Sequence, residues 1–293
     1  MKMRILLASA VLVFSFIVVS AQTTTNLVVT PASPVFDCKN IAGVGNDSAP
    51  GFPFGSFAST GGPATLCLSG GSPTTKTDMY FTPEGLFGRA VTLGEVSRMS
   101  YWTKIGTTHV VNPIDWALII YTKPHAGQAK NTNFYAVRLG LEPYFSMNLN
   151  DPANAWNQWT TLGGFNQLRV YESTSGATGA NFGTYTDPDW LTRLGGTSLT
   201  GPDGGGEPYA PQPVLFFTVQ TGSATATGFT GRVDGLRIEL FDGSVANINF
   251  EATNQVATNK DQCKNDGWKA RTRADFSTFK NQGDCIQYVN TGK

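Results

Sequence analysis

Short runs of β-branched, aromatic and aliphatic residues recur between residues 64 and 252, and segments rich in Gly, Pro, Asn and Ser separate them. There are nine such runs, among them RMSYWTKI, DWALIIYT, PVLFFTVQT and VANINFEA. Each run is shorter than a typical helix and ends at turn residues, which is the pattern of β-strands. The nine runs therefore predict an all-β fold in which two antiparallel sheets pack face to face as a sandwich.

Helical signals are few in this chain. In TDPDWLTRLGG, Asp187 can cap a helix and Pro188 suits its first position, so this segment predicts one short helix. The segment NDPANAWNQW indicates a second short turn that begins at Asp151. Residues 22–61 and 200–213 are rich in Pro and Gly, and we expect both to be extended or loop segments.

The stretch GLRIELFDGSVANINFEA predicts a β-hairpin whose pattern selects the register. A two-residue turn would place Asn247 on the apolar face of Ile238, which the alternation of apolar and polar residues opposes. A three-residue FDG loop instead pairs Leu236 with Ile248 and needs Gly243 in the left-handed conformation. The other side of the hairpin is entirely polar, and we interpret it as the solvent-facing side of a scaffold: Arg237, Glu239, Asn247 and Asn249.

The first residues, MKMRILLASAVLVFSFIVVSAQ, have the composition of a secretory signal peptide. Lys2 and Arg4 precede an apolar run, and small residues follow that run at Ser20 and Ala21. An uncleaved membrane anchor is the alternative, but the run is at the short end of a bilayer span, and no second apolar run of spanning length follows. We expect cleavage before Gln22 and a secreted, extracellular protein without a membrane span.

The charge balance points away from polyanionic partners. Lys and Arg together number 21, as do Asp and Glu, so the net charge is zero, and only 14% of residues are charged. Nothing in this balance attracts nucleic acid or an anionic membrane surface.

The chain has four cysteines, an even number that predicts a disulfide framework in an oxidising compartment. Three pairings are compatible with the sequence, and we favour Cys38–Cys67 and Cys263–Cys285 because each pair lies within one local segment. A zinc site is the competing interpretation, but C-x-x-C spacing and nearby histidines are missing.

The order of several motifs resembles that of secreted bacterial jelly-roll proteins, which are lectin-like or similar to carbohydrate-binding modules and whose activity is largely unassigned. The motifs are WNQW, TDPDWLTRLGG, VLFFTVQTGSA, GFTGRVDGL and NINFE, within residues 60–252. Residues 260–290 resemble a Cys-containing motif at the C-termini of bacterial extracellular proteins. The resemblance implies a concanavalin-like or galactose-binding-like jelly roll outside the bacterial envelope. The expected divisions are a signal peptide (1–21), an extended segment (22–61), the sandwich (62–252) and a disulfide-containing tail (253–293).

Catalytic signals are weak in this sequence. Its two histidines, His109 and His125, lie outside any metalloprotease or serine-hydrolase motif. A glycosidase needs two carboxylates across the sugar bond, whereas Glu239 lies on a strand and Asp242 in the adjoining turn. We therefore expect no enzyme activity and predict a binding protein.

Aromatic residues give the better functional signal, because indole faces stack on sugar rings. Trp102 and Trp116 alternate with core residues, so we predict that both are buried. Other aromatic side chains lie near amides or a Gly-rich loop, and we predict a ligand-binding site at Trp156, Asn157, Trp159, Tyr185 and Trp190. The expected ligand is extracellular polysaccharide or a cell-envelope glycan. A structural or adhesive surface protein is the first alternative, and a glycosidase-like enzyme is the second.

No cofactor motif is present. A structural calcium ion is the one cofactor that we consider, because sandwich domains often hold calcium through Asp, Asn and backbone oxygens. The candidate ligands are Asp187, Asp189, Asp234 and Glu251, although no EF-hand-type run exists and such acids commonly serve as turn residues or caps.

Overall fold

The computed structural model describes residues 22–45, 47–52, 54–59, 76–106, 115–122, 137–143, 152–161, 166–168, 171–174, 210–221, 231–253 and 255–293. Over these residues the chain is mostly strand and forms two sheets. The strands are β1 Thr24–Val29, β2 Ile41–Gly45, β3 Gly55–Ser59, β4 Asp78–Phe81, β5 Val96–Lys104, β6 Ala117–Thr122, β7 Val137–Leu141, β8 Asn157–Thr160, β9 Tyr171–Thr174, β10 Val214–Gln220, β11 Arg232–Leu240 and β12 Val245–Phe250. The described part also contains two α-helices, α1 Pro83–Phe87 and α2 Gln282–Thr291, and short 3₁₀ helices at Leu93–Glu95, Lys260–Cys263 and Gly267–Ala270.

Strand β11 is the centre of the first sheet, which has seven strands. Along one edge it pairs with β5, and β8 continues the sheet beyond β5. Along the other edge, residues 236–239 of β11 pair with β12, and residues 232–233 pair with β3. Strand β1 lies beyond β12, and β2 lies beyond β3. The pairing of β1 with β12 is parallel, and the other strand pairs described are antiparallel.

The second sheet has five antiparallel strands in the order β4-β10-β6-β7-β9. Its inner residues and those of the first sheet form one apolar cluster. Aromatic rings cross the interface: Phe250 of the first sheet lies 6.4 Å from Phe81 of the second, measured between ring centroids. Two sheets with a shared core form the predicted all-β sandwich.

The N-terminal segment belongs to the sandwich. Residues 22–61 supply β1, β2 and β3, so the first sheet begins at Thr24, not at residue 62. The Pro- and Gly-rich composition concealed these strands because each is only five or six residues long. Gly43 shows why glycine occurs inside a strand here: a Cβ at this position would lie 2.4 Å from the Cα of Ala252.

The hairpin formed by β11 and β12 confirms the predicted register. Leu236 is opposite Ile248, and Ile238 is opposite Ala246. The FDG loop closes with a 2.9 Å bond from the Leu240 amide to the Ser244 carbonyl, and Gly243 has a φ of 85°.

Some local predictions fail or fall outside the described residues. The run RAVTL is not a strand, because Thr92 caps the 3₁₀ helix Leu93–Glu95. Helix α1 was not predicted, although Thr82 is its N-cap, Pro83 begins it and Gly88 ends it in the left-handed conformation. The signal-peptide segment, the run ATLCLS and the expected helix TDPDWLTRLGG lie outside the described residues.

The tail, residues 255–293, has a small core of its own. The Cys263–Cys285 disulfide joins its first 3₁₀ helix to α2, as predicted, and Phe279 packs beside it. Phe276 meets Phe52 at 6.3 Å between ring centroids, which connects the tail to the 47–52 loop. Cys38 is disulfide-bonded, but its predicted partner Cys67 lies outside the described residues. Among the helices that are described, none is both long and apolar enough to cross a membrane.

Candidate functional site

Trp156 lies just before β8 on the outer face of the first sheet and is half-buried. Its indole Nε1 donates a hydrogen bond to Asp47 Oδ1 at 3.1 Å. Asp47 comes from the loop between β2 and β3, and the same carboxylate receives Lys104 Nζ at 3.1 Å from each oxygen. Arg232 completes the group through an ion pair with Asp47. One carboxylate thus holds an indole and two cations.

The pairing of three strands explains why these side chains meet. Lys104 is opposite Arg232, and the preceding residue Thr103 is opposite Asn157. This register places Trp156, Lys104 and Arg232 in one row across the sheet, because side chains alternate between the two faces of a strand. We call Asp47, Lys104, Trp156 and Arg232 the Trp156 row.

A cavity of about 240 Å³ adjoins the Trp156 row and is lined by Lys104, Ile105, Gly106, Asn154 and Arg232. Asn154 is exposed and has a positive φ of 60°, and its backbone N–H donates to the Ile105 carbonyl at 2.8 Å. The cavity therefore offers cationic, amide and aliphatic groups in one small concave surface beside an indole.

The structure buries two of the other predicted site residues, Asn157 and Trp159, away from the outer face that carries Trp156. Trp159 is fully buried in the core, and its Nε1 donates to Thr103 Oγ1 at 2.7 Å. Asn157 is also buried and donates to the Ala155 carbonyl at 3.2 Å. The reason is the strand period: Trp156 and Trp159 are three positions apart and so face opposite sides. Trp159 and Asn157 present no surface to a ligand, and Tyr185 and Trp190 lie outside the described residues.

Two tryptophans were predicted to lie in the core, and only one does. Trp116 is fully buried, and its Nε1 donates to the Gly231 carbonyl at 3.0 Å. Trp102 is half-buried on the outer face, opposite Gln158 of β8, because Tyr101 takes the inward position. The alternation around Tyr101 was the signal that could have identified Trp102 as an outer residue.

The predicted polar stripe of the hairpin bonds largely within itself. Arg237 donates to Glu239 at 2.7 Å and to Asn247 at 2.8 Å, and Asn247 donates to Asn26 of β1 at 2.9 Å. Asn249, at the far end of the stripe, is buried. This network fits the scaffold interpretation over most of the stripe, but not at Asn249.

A second polar cluster lies beneath the 47–52 loop. Asp234 is fully buried and accepts hydrogen bonds from the amides of Gly235 at 2.7 Å, Ala49 at 3.0 Å and Phe250 at 3.2 Å. Burial raises its pKa well above the ordinary range. Burial also raises the pKa of Glu251 to about 8. These are two of the four predicted calcium ligands; Asp187 and Asp189 lie outside the described residues.

A third group, Asp37, Cys38 and Asp78, brings two carboxylates and a sulfur within 4.8 Å of one another. Cys38 is disulfide-bonded and therefore has no thiolate to offer a metal. Lys76 Nζ lies 3.0 Å from Asp78 Oδ2 and supplies a positive charge at that carboxylate. These residues do not fit a metal centre.

Comparison of the chain with protein-family models, with curated proteins and with solved structures finds no match in any of the three.

Proposed function

We propose that this protein is a secreted, non-catalytic protein that binds extracellular carbohydrate through the Trp156 row and its cavity, on a sandwich of jelly-roll type. The observation that carries the proposal is the half-buried indole of Trp156, held by Asp47 beside Lys104 and Arg232. The N-terminal stretch MKMRILLASAVLVFSFIVVSAQ has the composition of a secretory signal peptide, and this composition supports the proposed extracellular location.

The chemistry of the row suits a sugar. An indole offers an apolar face for the C–H surface of a pyranose ring, and its edge is already bonded to Asp47. Lys104, Arg232 and Asn154 supply donors for hydroxyl oxygens around the cavity. The bonds to Asp47 hold the indole and both cations in place before a ligand arrives, so little conformational entropy remains to be lost on binding.

The arrangement favours binding over hydrolysis. A glycosidase requires two carboxylates that face one cleft, whereas the row as the structure describes it contains one carboxylate, that of Asp47. Asp234 and Glu251 are at most 1% exposed, so they cannot reach a substrate.

Retention on insoluble polysaccharides tests the proposal. We expect the wild-type protein to be retained by at least one plant, algal or bacterial polysaccharide. Trp156→Ala should lose retention by tenfold or more, because the variant loses the apolar area that the ring would bury against a sugar, and a loss of about 1.4 kcal/mol is already tenfold. Phe241→Ala is the matched control: Phe241 is 67% exposed at the hairpin tip, away from the Trp156 row.

Equal retention of Trp156→Ala, Phe241→Ala and wild type would contradict the proposed site. If no polysaccharide retained the wild-type protein, carbohydrate binding would be abandoned for the structural or adhesive alternative. Circular dichroism of each variant establishes that it is folded.

A further inference from the structure

Asp234, Asn249 and Glu251 meet on the outer side of the first sheet, covered by the 47–52 loop. Asn249 and Glu251 lie on the same side of the chain at the end of β12, and Asn249 Nδ2 donates to Glu251 Oε1 at 2.8 Å. The amide of Phe250, between them, donates to Asp234 Oδ1 at 3.2 Å. All three side chains are at most 2% exposed.

Among the residues that the structure describes, none donates a hydrogen bond to two buried oxygen atoms of this cluster: Asn249 Oδ1 and Glu251 Oε2. Buried acceptors without partners are rare in folded proteins, because each forgoes the hydrogen bonds that water would provide. Asp234 Oδ2 accepts one bond, from Ala49, and so retains a lone pair. Glu251 Oε2 packs closely against Gly55, since a Cβ at that position would lie 2.9 Å from Oε2.

The cluster also lacks a positive charge in the part of the chain that is described. Cationic side chains on the same face bond to other acids: Lys104 and Arg232 to Asp47, and Arg237 to Glu239. Two carboxyl groups and a carboxamide oxygen thus converge without a counter-charge, and burying such groups is costly unless they are paired or coordinate a metal.

We propose that Asp234, Asn249 and Glu251 bind a calcium ion, with Glu251 Oε2 and Asn249 Oδ1 as ligands and the Asp234 carboxylate as the second negative charge. Calcium takes carboxylate and amide oxygens in irregular arrangements, whereas magnesium demands a near-ideal octahedron and keeps several waters, which a closed site accommodates poorly. The ion holds the 47–52 loop against β11 and β12. This inference does not rest on sugar binding.

A proton is the competitor for the same place. If Glu251 is protonated, its Oε2–H can donate to Asn249 Oδ1 and satisfy both unpartnered atoms without a metal. Calcium and a proton can be told apart by experiment, because only the metal requires a charged Glu251.

Terbium luminescence and thermal unfolding of the full chain test the proposal. Trp102 is directly opposite Asp234 in the β5–β11 pairing, and the Cβ atoms of such a pair are about 5 Å apart, so excitation of tryptophan will sensitise terbium bound at this site. We expect terbium emission from chelator-stripped protein, displacement of terbium by added calcium, and a rise in Tm of about 5 °C at 100 times the calcium Kd.

Glu251→Gln keeps the shape of the side chain and removes its charge. We expect this variant to show no calcium-induced rise in Tm and to bind terbium at least ten times more weakly than the wild type. Glu239→Gln is the matched control, since Glu239 lies on the outer side of β11 and is ion-paired with Arg237. Trp102→Phe should lose the emission and keep the rise in Tm. The proposal is overturned if calcium leaves the wild-type Tm unchanged at pH 7.5, or if Glu251→Gln and Glu239→Gln respond to calcium like the wild type.

Discussion

Gly43 and Gly45 are two positions apart on β2, yet their surroundings differ. A Cβ at Gly43 would lie 2.4 Å from the Cα of Ala252, whereas a Cβ at Gly45 would meet no atom within 4 Å. We expect Gly43→Ala to lower the free energy of unfolding by about 2 kcal/mol or more, because two backbone segments would have to separate. Gly45→Ala should change it by less than about 1 kcal/mol, and in the stabilising direction.

Urea unfolding of both variants measures these values. Equal effects of Gly43→Ala and Gly45→Ala would show that β2 does not pack on Ala252 as closely as the structure has it.

Glu251 gives a prediction about pH for the metal-free protein. Burial raises its pKa from the ordinary 4.5 to about 8, so the folded chain holds a proton that the unfolded chain releases. The stability due to this proton is complete below pH 4.5 and disappears as the pH rises through 8. In the presence of a chelator, we expect the unfolding free energy to fall across this range.

Glu251→Gln has no proton to lose, and its stability should fall less steeply; the part due to Asp234, whose pKa is also raised, should remain. Urea unfolding at several pH values checks this. If the unfolding free energy of the wild type falls with pH no more steeply than that of Glu251→Gln, the burial of Glu251 is contradicted.

Single residues in β8 and just before it show what the sequence could predict and what it could not. The cluster WNQW predicted a sugar site that includes Trp156, because an indole among amides is typical of such a site, and the structure leaves Trp156 half-buried. The same cluster wrongly favoured an exposed Trp159, which is fully buried. The choice between them depends on which residue begins the strand, and a four-residue strand has too few alternations to fix its inner face from sequence.

Among the elements, the β11–β12 hairpin was the most predictable. Its strands are adjacent in sequence, and a one-residue slip would bury Asn247, so the apolar pattern and Gly243 were sufficient. The parallel pairing of β1 with β12 could not be inferred in the same way. It joins Thr24 to Val245, more than two hundred residues away, and no local turn signal links them.

The tail is an element whose stability should depend on its disulfide. Cys263 and Cys285 are 22 residues apart, and closing such a loop stabilises by about 3 kcal/mol in the chain-entropy model. The buried cluster around the bond is small, with Ala257 and Phe279 as its other fully buried members among the described residues. We expect the double variant Cys263→Ala/Cys285→Ala to unfold locally in residues 255–293.

Hydrogen exchange followed by mass spectrometry checks this, with faster exchange expected in the tail and unchanged exchange in β5 and β11 of the same sample. Faster exchange throughout the sandwich would show that the tail and the sandwich unfold as one unit.

At the scale of the whole molecule, both candidate sites are assembled from distant parts of the chain. The Trp156 row joins residues near positions 47, 104, 156 and 232, which meet because β2–β3, β5, β8 and β11 belong to one sheet. Sequence pattern predicted the sandwich and named Trp156, Asp234 and Glu251 separately. It could not show that Asp47 organises the first group or that Asn249 joins the second, because both facts depend on pairing between remote strands.

Carbohydrate binding at the Trp156 row is measured most directly by hydrogen exchange in the presence of the retained polysaccharide. We predict protection of residues 104–106 and 152–158, with the hairpin stripe around Arg237 and Asn247 unchanged. Protection of the hairpin stripe or the tail, with residues 152–158 unchanged, would contradict the claim.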